Sequence, residues 1–195
     1  MEIDGVSILL DGICGEVPPY LPTPEPIRQA LYATLPDAVA FTHTHIDHYD
    51  RDFALFFEKN THKDIVSPEN KREIQVGSVS IRPIDSRHIG RNDIEHISFV
   101  LMGSRCIWFM GDASPVALKS MGRYPKPDVL FVPFAYLNGK AAIETTNSVN
   151  AAEIVLLHLP DEQRDDYKIW DTVRNFIIKE QHIHILGLGE TLDLY

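Results

Sequence analysis

The sequence predicts an α/β or α+β layered domain, with sheets covered by helices. Three observations predict it. Apolar runs of strand length recur along the 195 residues; early runs pair across glycine-containing turns; later runs alternate with helical stretches. With 44% hydrophobic and 24% charged residues, the chain has material for a packed core and is too apolar to stay disordered. The length fits a single domain over residues 1–195.

Val6 to Leu10 reads as a strand ending at Asp11-Gly12. Residues 14 to 25 hold four of the thirteen prolines and read as a loop, followed by a short helix from about Pro26 to Ala33. Asp37 to Phe41 is a buried strand. THTHIDHYD follows, then the helical stretch RDFALFFEKN, which offers Phe53, Leu55, Phe56 and Phe57 to the core. Ile74–Val76 and Val79–Ile84 flank Gly77-Ser78 as a hairpin, and Gly103-Ser104-Arg105 joins Ile97–Leu101 to Cys106–Met110. A helix is expected after Ser114-Pro115, where proline suits the first turn. Val129 to Val132 is a strand, Ala142 to Val149 a helix, and Ile154 to Leu157 a strand ending at His158. Asp161 to Lys179 is expected to be the longest helix, with Tyr167, Trp170, Val173, Phe176 and Ile177 on one face. His182 to Leu188 closes the chain as a strand.

Composition excludes several functions. Eighteen basic against 28 acidic residues give a net charge of −10, which argues against a protein that tracks nucleic acid by neutralising phosphates. No basic arm or aromatic platform points that way either. No apolar run reaches the roughly 18 residues of a membrane span, and MEIDGVSILL lacks a basic n-region and a cleavage site. A cytoplasmic protein is expected. Cys14 and Cys106 are too few for a disulfide scaffold and read as small buried hydrophobes.

The chemistry concentrates in Phe41-Thr42-His43-Thr44-His45-Ile46-Asp47-His48-Tyr49-Asp50. In extended chain, side chains two apart point the same way, so His43 and His45 can converge on one ion. Asp47 and His48 come from the turn into the next helix, whose dipole is expected to keep His48 neutral and able to ligate. Four such ligands exceed what one open tetrahedral site needs, and the excess points to two ions. His88, Asp112 after Gly111, and His158 supply further ligands at strand ends. Taken alone, Asp112 equally fits a helix cap, and His158 a satisfied histidine at a strand end. His96 rivals His88, but its spacing suits the opening of a strand. His182, His184 and His62 read as structural or solvated residues.

His-x-His-x-Asp-His, an isolated His, Gly-Asp and a late His together resemble the metallo-β-lactamase fold superfamily, over about residues 5 to 188. The resemblance is to the compact metal-dependent hydrolase branch that includes ascorbate-6-phosphate lactonase-like proteins. Asp112 supports that branch, because the β-lactamases themselves generally carry cysteine there, and EIDGVSILLDG resembles its strand with a terminal Asp. The resemblance implies a four-layer αββα sandwich with the metals at one edge between the sheets. It implies that His43, His45 and His88 hold one metal, that Asp47, His48 and His158 hold the second, and that Asp112 bridges them. That branch usually begins with a further strand, so the first strand is expected to be missing here and its edge open or covered, a homo-oligomer being one way to cover it.

The expected activity is hydrolysis of a small phosphoester, lactone or related ester or amide by a metal-activated hydroxide. Asp47 is the expected catalytic carboxylate, and Thr42 and Thr44 supply supporting hydrogen bonds. Zinc leads as the metal, with manganese and iron as alternatives for a His/carboxylate donor set. Two bound cations in an acidic protein suggest an anionic small-molecule substrate. Arg87, Asn92, Tyr136 and Asn138 are candidates to line the cleft. An iron-dependent oxidoreductase and a non-catalytic metal-binding or sensing module are the alternative readings.

Overall fold

The computed structural model describes residues 1–177 and 182–193. In chain order the strands are β1 (Glu2–Ile3), β2 (Val6–Leu10), β3 (Ala38–Ala40), β4 (Ile74–Val76), β5 (Val79–Arg87), β6 (Glu95–Met102), β7 (Cys106–Phe109), β8 (Val129–Pro133), β9 (Glu153–Leu157) and β10 (Ile183–Ile185). The helices are α1 (Glu25–Ala33), α2 (Arg51–Thr61), α3 (Ala117–Met121), α4 (Lys140–Val149) and α5 (Ile169–Ile177). β1, β2 and β3 form a small sheet, and the other strands form a seven-stranded sheet in the order β10-β9-β8-β7-β6-β5-β4. The antiparallel meander β4 to β7 gives way to parallel pairing from β7 to β10. Each parallel step needs a crossover, and α3, α4 and α5 are those crossovers.

Strand alternation builds three cores from these elements. Ile8, Ala38, Ala40, Ile81, Ile97, Phe99, Leu101, Ile107, Val129 and Val155 meet between the two sheets. Their sequence neighbours Val100, Trp108, Leu130, Ile154 and Leu156 point the other way, against Leu118, Met121 and Val173 of the crossover helices. On the far side of the small sheet, Val39 and Phe41 pack against Phe53, Ala54 and Phe57 of α2. Three apolar interfaces between four layers make the expected αββα sandwich. β6 is buried on both faces, which is why its sequence reads as one continuous apolar run.

Several expectations are corrected. The segment 161–179 is not one helix: a 3-10 turn over Glu162–Arg164 is followed by Lys168 at φ 55° and only then by α5. The cause is Asp165, whose carboxylate accepts from the backbone N–H of Ile169 (2.9 Å) and Trp170 (2.7 Å), capping a new helix rather than extending an old one. Tyr167 precedes α5 and is 83% exposed, leaving Val173 as the buried member of the stripe. Residues 178 and 179, and the side chains of Phe176 and Ile177, lie outside the described residues. In α2 the helical turn carries Leu55 outward, 54% exposed, while Phe53, Ala54 and Phe57 face the core. The outer edge of the small sheet is occupied by β1, a stub of two residues paired with β2.

Candidate metal centre

Five strand ends converge on one rim of the sandwich. β2 delivers Asp11, β3 delivers the segment from Phe41 to Asp50, β5 delivers His88, β7 delivers Asp112, and β9 delivers His158. After β3 the chain bends at Thr42 and turns over Ile46 to His48, with His48 N and Tyr49 N both donating to His45 O. Gly111, at φ 53°, carries the chain from β7 to Asp112 so close to Thr42 that a Cβ would sit 2.5 Å from Thr42 Cγ2. His158 stands at φ 56° and Asp11 at φ 46°, an uncommon conformation for non-glycine residues that here aims both side chains at the same point.

All seven predicted ligands are brought together. Ligand atoms of His43, His45 and His88 lie within 4.8 Å of one another, as do those of Asp47, His48 and His158. A third such group is His43, His48 and Asp112. Asp112 Oδ2 lies 3.6 Å from His48 Nε2, 3.8 Å from His88 Nε2 and 3.3 Å from His158 Nε2, which places one carboxylate between histidines of both triads.

Hydrogen bonds at the outer ring nitrogens leave the inner ones free. His48 Nδ1–H donates to Asp11 Oδ2 (3.0 Å) and His88 Nδ1–H to Ile89 O (2.6 Å), which makes Nε2 of each ring the atom directed inward. Thr42 Oγ1 donates to Asp11 Oδ2 (2.6 Å) and so accepts from His43 Nδ1–H (2.9 Å), with the same result. His43 Nε2 and His45 Nδ1 then face each other at 3.0 Å. Among the described residues, five buried side-chain nitrogen or oxygen atoms lack a hydrogen-bond partner, and four are here: Nε2 of His48, His88 and His158, and Asp112 Oδ1. Buried polar atoms are rarely left unpaired. Converging lone pairs on imidazole and carboxylate fit a divalent cation, and the donor set fits Zn, Mn or Fe chemistry.

The charges correct one expectation. α2 begins at Arg51 and is capped by Asp50, so His48 lies outside the helix. Burial acts to lower the His48 pKa, but the hydrogen bond to Asp11 and the nearby Asp112 carboxylate outweigh it and raise it to about 10. Carboxylates, not the helix dipole, set its protonation, and a metal ion would displace that proton. Burial opposes the ionisation of Asp112, yet His48 and His158 hold its carboxyl well below the usual range. Asp47 is lowered too: burial opposes its ionisation, but the neighbouring His158 and His48 outweigh that. Burial pushes His43 and His45 down, with neighbouring imidazoles adding to it.

Two supporting residues escaped the sequence reading. Asp11, read there as the end of a strand, also accepts from Thr42 N (2.7 Å) and thus holds His43 and His48 together. His96 is buried on β6, where its Nε2 accepts from the backbone N–H of Asp112 at 3.0 Å. That bond fixes its tautomer. Nδ1–H donates to Ser86 Oγ (2.8 Å), which donates to Ser98 Oγ (2.9 Å), which donates to Met110 O (3.1 Å). Neither role is local in sequence, and only the terminal Asp of EIDGVSILLDG gave a signal. Thr42 acts as expected, whereas Thr44 is exposed.

The centre opens into a cleft of about 230 Å³ lined by Leu10, Cys14, Tyr20, Leu21, Phe109, Leu157 and Leu159 beside the metal-facing groups. The Tyr20 ring packs edge-on against His158, centroids 4.1 Å apart. Burial, then the charges of Asp112 and Asp47, push its hydroxyl up to about 12, so it stays protonated. The proline-rich loop that carries it is closed at its base by Cys14 N donating to Thr23 Oγ1 (2.8 Å) and tied across by Arg164 to Glu16 (2.6 Å). None of Arg87, Asn92, Tyr136 and Asn138 lines this cleft. Tyr136 is instead buried with its hydroxyl donating to Ser114 O (3.2 Å), while Arg87, Asn92 and Asn138 are exposed. His184 pairs with Glu153 (2.6 Å) and His62 caps α2, both away from the centre.

No protein-family model matches the sequence, and no curated protein does. Solved structures do match. A possible metal-dependent hydrolase from Veillonella parvula superposes with a TM-score of 0.69 at 14% identity, covering 100% of this chain and 95% of that one. A metallo hydrolase from the hyperthermophilic archaeon Ignicoccus hospitalis gives 0.69 at 16% identity, covering 98% and 91%. The metallo-β-lactamase fold protein YhfI from Bacillus subtilis gives 0.58 at 14%, covering 95% of each chain. Four layers, two sheets and these likenesses lead to one conclusion: this chain has the metallo-β-lactamase fold.

Proposed function

We propose that the protein is a metal-dependent hydrolase with a dinuclear centre. His43, His45 and His88 hold one divalent ion, Asp47, His48 and His158 hold the other, and Asp112 bridges them. The observation that carries this reading is the set of four orphaned buried atoms facing one point, three on imidazoles and one on a carboxylate. Isolated buried polar atoms cost free energy, and cations held by the two triads would give all four of them partners. The hydrolase names of the Veillonella and Ignicoccus structures support the reading by analogy of fold.

Divalent ions at such a centre polarise the scissile oxygen and lower the pKa of a bound water from about 15.7 towards 7. The chain's own groups position the reaction. Asp47 is a half-buried carboxylate with two oxygens, so one would remain free to orient the attacking water and accept its proton. Asp11 and His96 would position ligands, Asp11 through Thr42 and His48, and His96 through the backbone N–H of Asp112. Zinc is the leading metal, manganese and iron the alternatives, and the substrate is a small molecule.

Replacing His45 or Asp112 by alanine tests the assignment. Both variants are expected to lose bound metal and at least 10²-fold in turnover while keeping a native circular-dichroism spectrum. Full activity in either would overturn it. Bound iron with oxygen consumption and no hydrolysis would replace the hydrolase by an oxidoreductase.

A further inference from the structure

We infer that the substrate is a neutral carboxylic ester or lactone carrying a short apolar arm, and that Leu21, Leu157 and Leu159 select that arm. The inference rests on the hydrolase reading above and narrows it. It starts from what surrounds the metal-facing groups. The cleft lining is Leu10, Leu21, Leu157, Leu159, Phe109, Cys14 and Tyr20, and it contains no lysine or arginine. Leu21 remains 49% exposed, so the apolar wall continues from the centre to the mouth.

Charge points the same way. Asp47, Asp112 and Asp11 all line the cleft. Their three negative charges and one hydroxide cancel the four positive charges of two divalent ions, so the filled centre is neutral. A substrate with a second ionised group, such as a sugar phosphate, would set that group against leucines with no cation to receive it, and desolvating an unpaired charge is expensive. Sites that recognise phosphate usually present arginine, lysine or a helix N-terminus. The other polar side chains of the apolar wall, the Tyr20 hydroxyl and the Cys14 thiol, offer no positive charge. The metal charges alone suggest an anionic substrate; with Asp11 and the apolar walls counted as well, we infer a neutral one.

The reaction balances without a co-reactant other than water. Water adds to the acyl carbon, the bond between that carbon and the alkoxy oxygen breaks, and the alkoxy oxygen leaves with a proton. The acid and the alcohol are the products, joined in one molecule if the substrate is a lactone.

The test uses the zinc-loaded full chain and compares p-nitrophenyl acetate, butyrate and hexanoate with p-nitrophenyl phosphate and bis(p-nitrophenyl) phosphate. Each kcat/KM is divided by the uncatalysed rate of the same compound. For the esters, this ratio is expected to rise about three- to fourfold per added methylene, the worth of burying one. Both phosphate esters are expected to fall below the hexanoate. Leu21→Ser, at a half-exposed position that does not endanger folding, is expected to cut the hexanoate-to-acetate ratio at least threefold. A flat dependence on acyl length, an unchanged ratio in L21S, or a preference for either phosphate ester would overturn the inference while leaving a hydrolase. No hydrolysis of any of the five compounds would overturn the hydrolase reading together with it.

Discussion

Asp11 reaches two of the clustered histidines at once, one directly and one through Thr42. Asparagine at that position keeps the acceptor for Thr42 N but replaces with an amide the oxygen that serves both Thr42 Oγ1 and His48. Losing such a support typically costs 10–100-fold in metal affinity. Asp11→Asn is expected to show that loss in competition with a chromogenic chelator; an unchanged affinity would mean that the ligands hold themselves. His96 gives a pH prediction. Burial, the largest cause, lowers its pKa to about 3, whereas in the unfolded chain it titrates near 6.5. Between those values the unfolded state binds the extra proton, so stability falls as pH drops from about 6.5 towards 3, by up to about 1.4 kcal/mol per pH unit for this one group. Urea titrations of the metal-free protein should show a shallower acid slope in His96→Asn than in wild type. The seven clustered candidate residues were legible in the sequence because they sit at strand ends in a recognisable order. Asp11 and His96 as supports were not, because their partners lie 31 to 37 and 16 residues away.

At the scale of elements, period-two alternation made the strands readable, and two buried faces made β6 readable as a continuous run. The long helix failed for a physical reason. An acidic run with helical spacing to an aromatic stripe looks like one amphipathic element until Asp165 turns its carboxylate onto two backbone N–H groups and restarts the helix. The spacing of apolar residues cannot show which aspartate caps. The same limit explains Leu55, which belongs to a dense apolar stretch yet falls on the solvent side of α2. The contrast is measurable. Phe99, fully buried between the sheets, is expected to cost about 3–5 kcal/mol on truncation to alanine. Leu55→Ala should stay within about 0.5 kcal/mol, since exposed helical positions tolerate alanine well. Equal costs in chemical denaturation would contradict the layer assignment.

For the whole molecule, the αββα layering and the metal centre are one construction. Two sheets packed face to face bring the ends of β2, β3, β5, β7 and β9 to a common rim, and each end delivers a residue of the candidate centre or its support. The net charge of −10 then divides into a solvated acidic surface and a small set of carboxylates committed to the centre. A cluster of buried lone pairs and carboxylates is costly in an empty protein and useful once cations fill it. The most direct test is to add zinc stepwise to metal-free protein and follow ester hydrolysis against metal equivalents. The account predicts that the rate rises with added metal and reaches its plateau at two ions per chain. A rate independent of metal, or a protein that takes up no zinc, would contradict it.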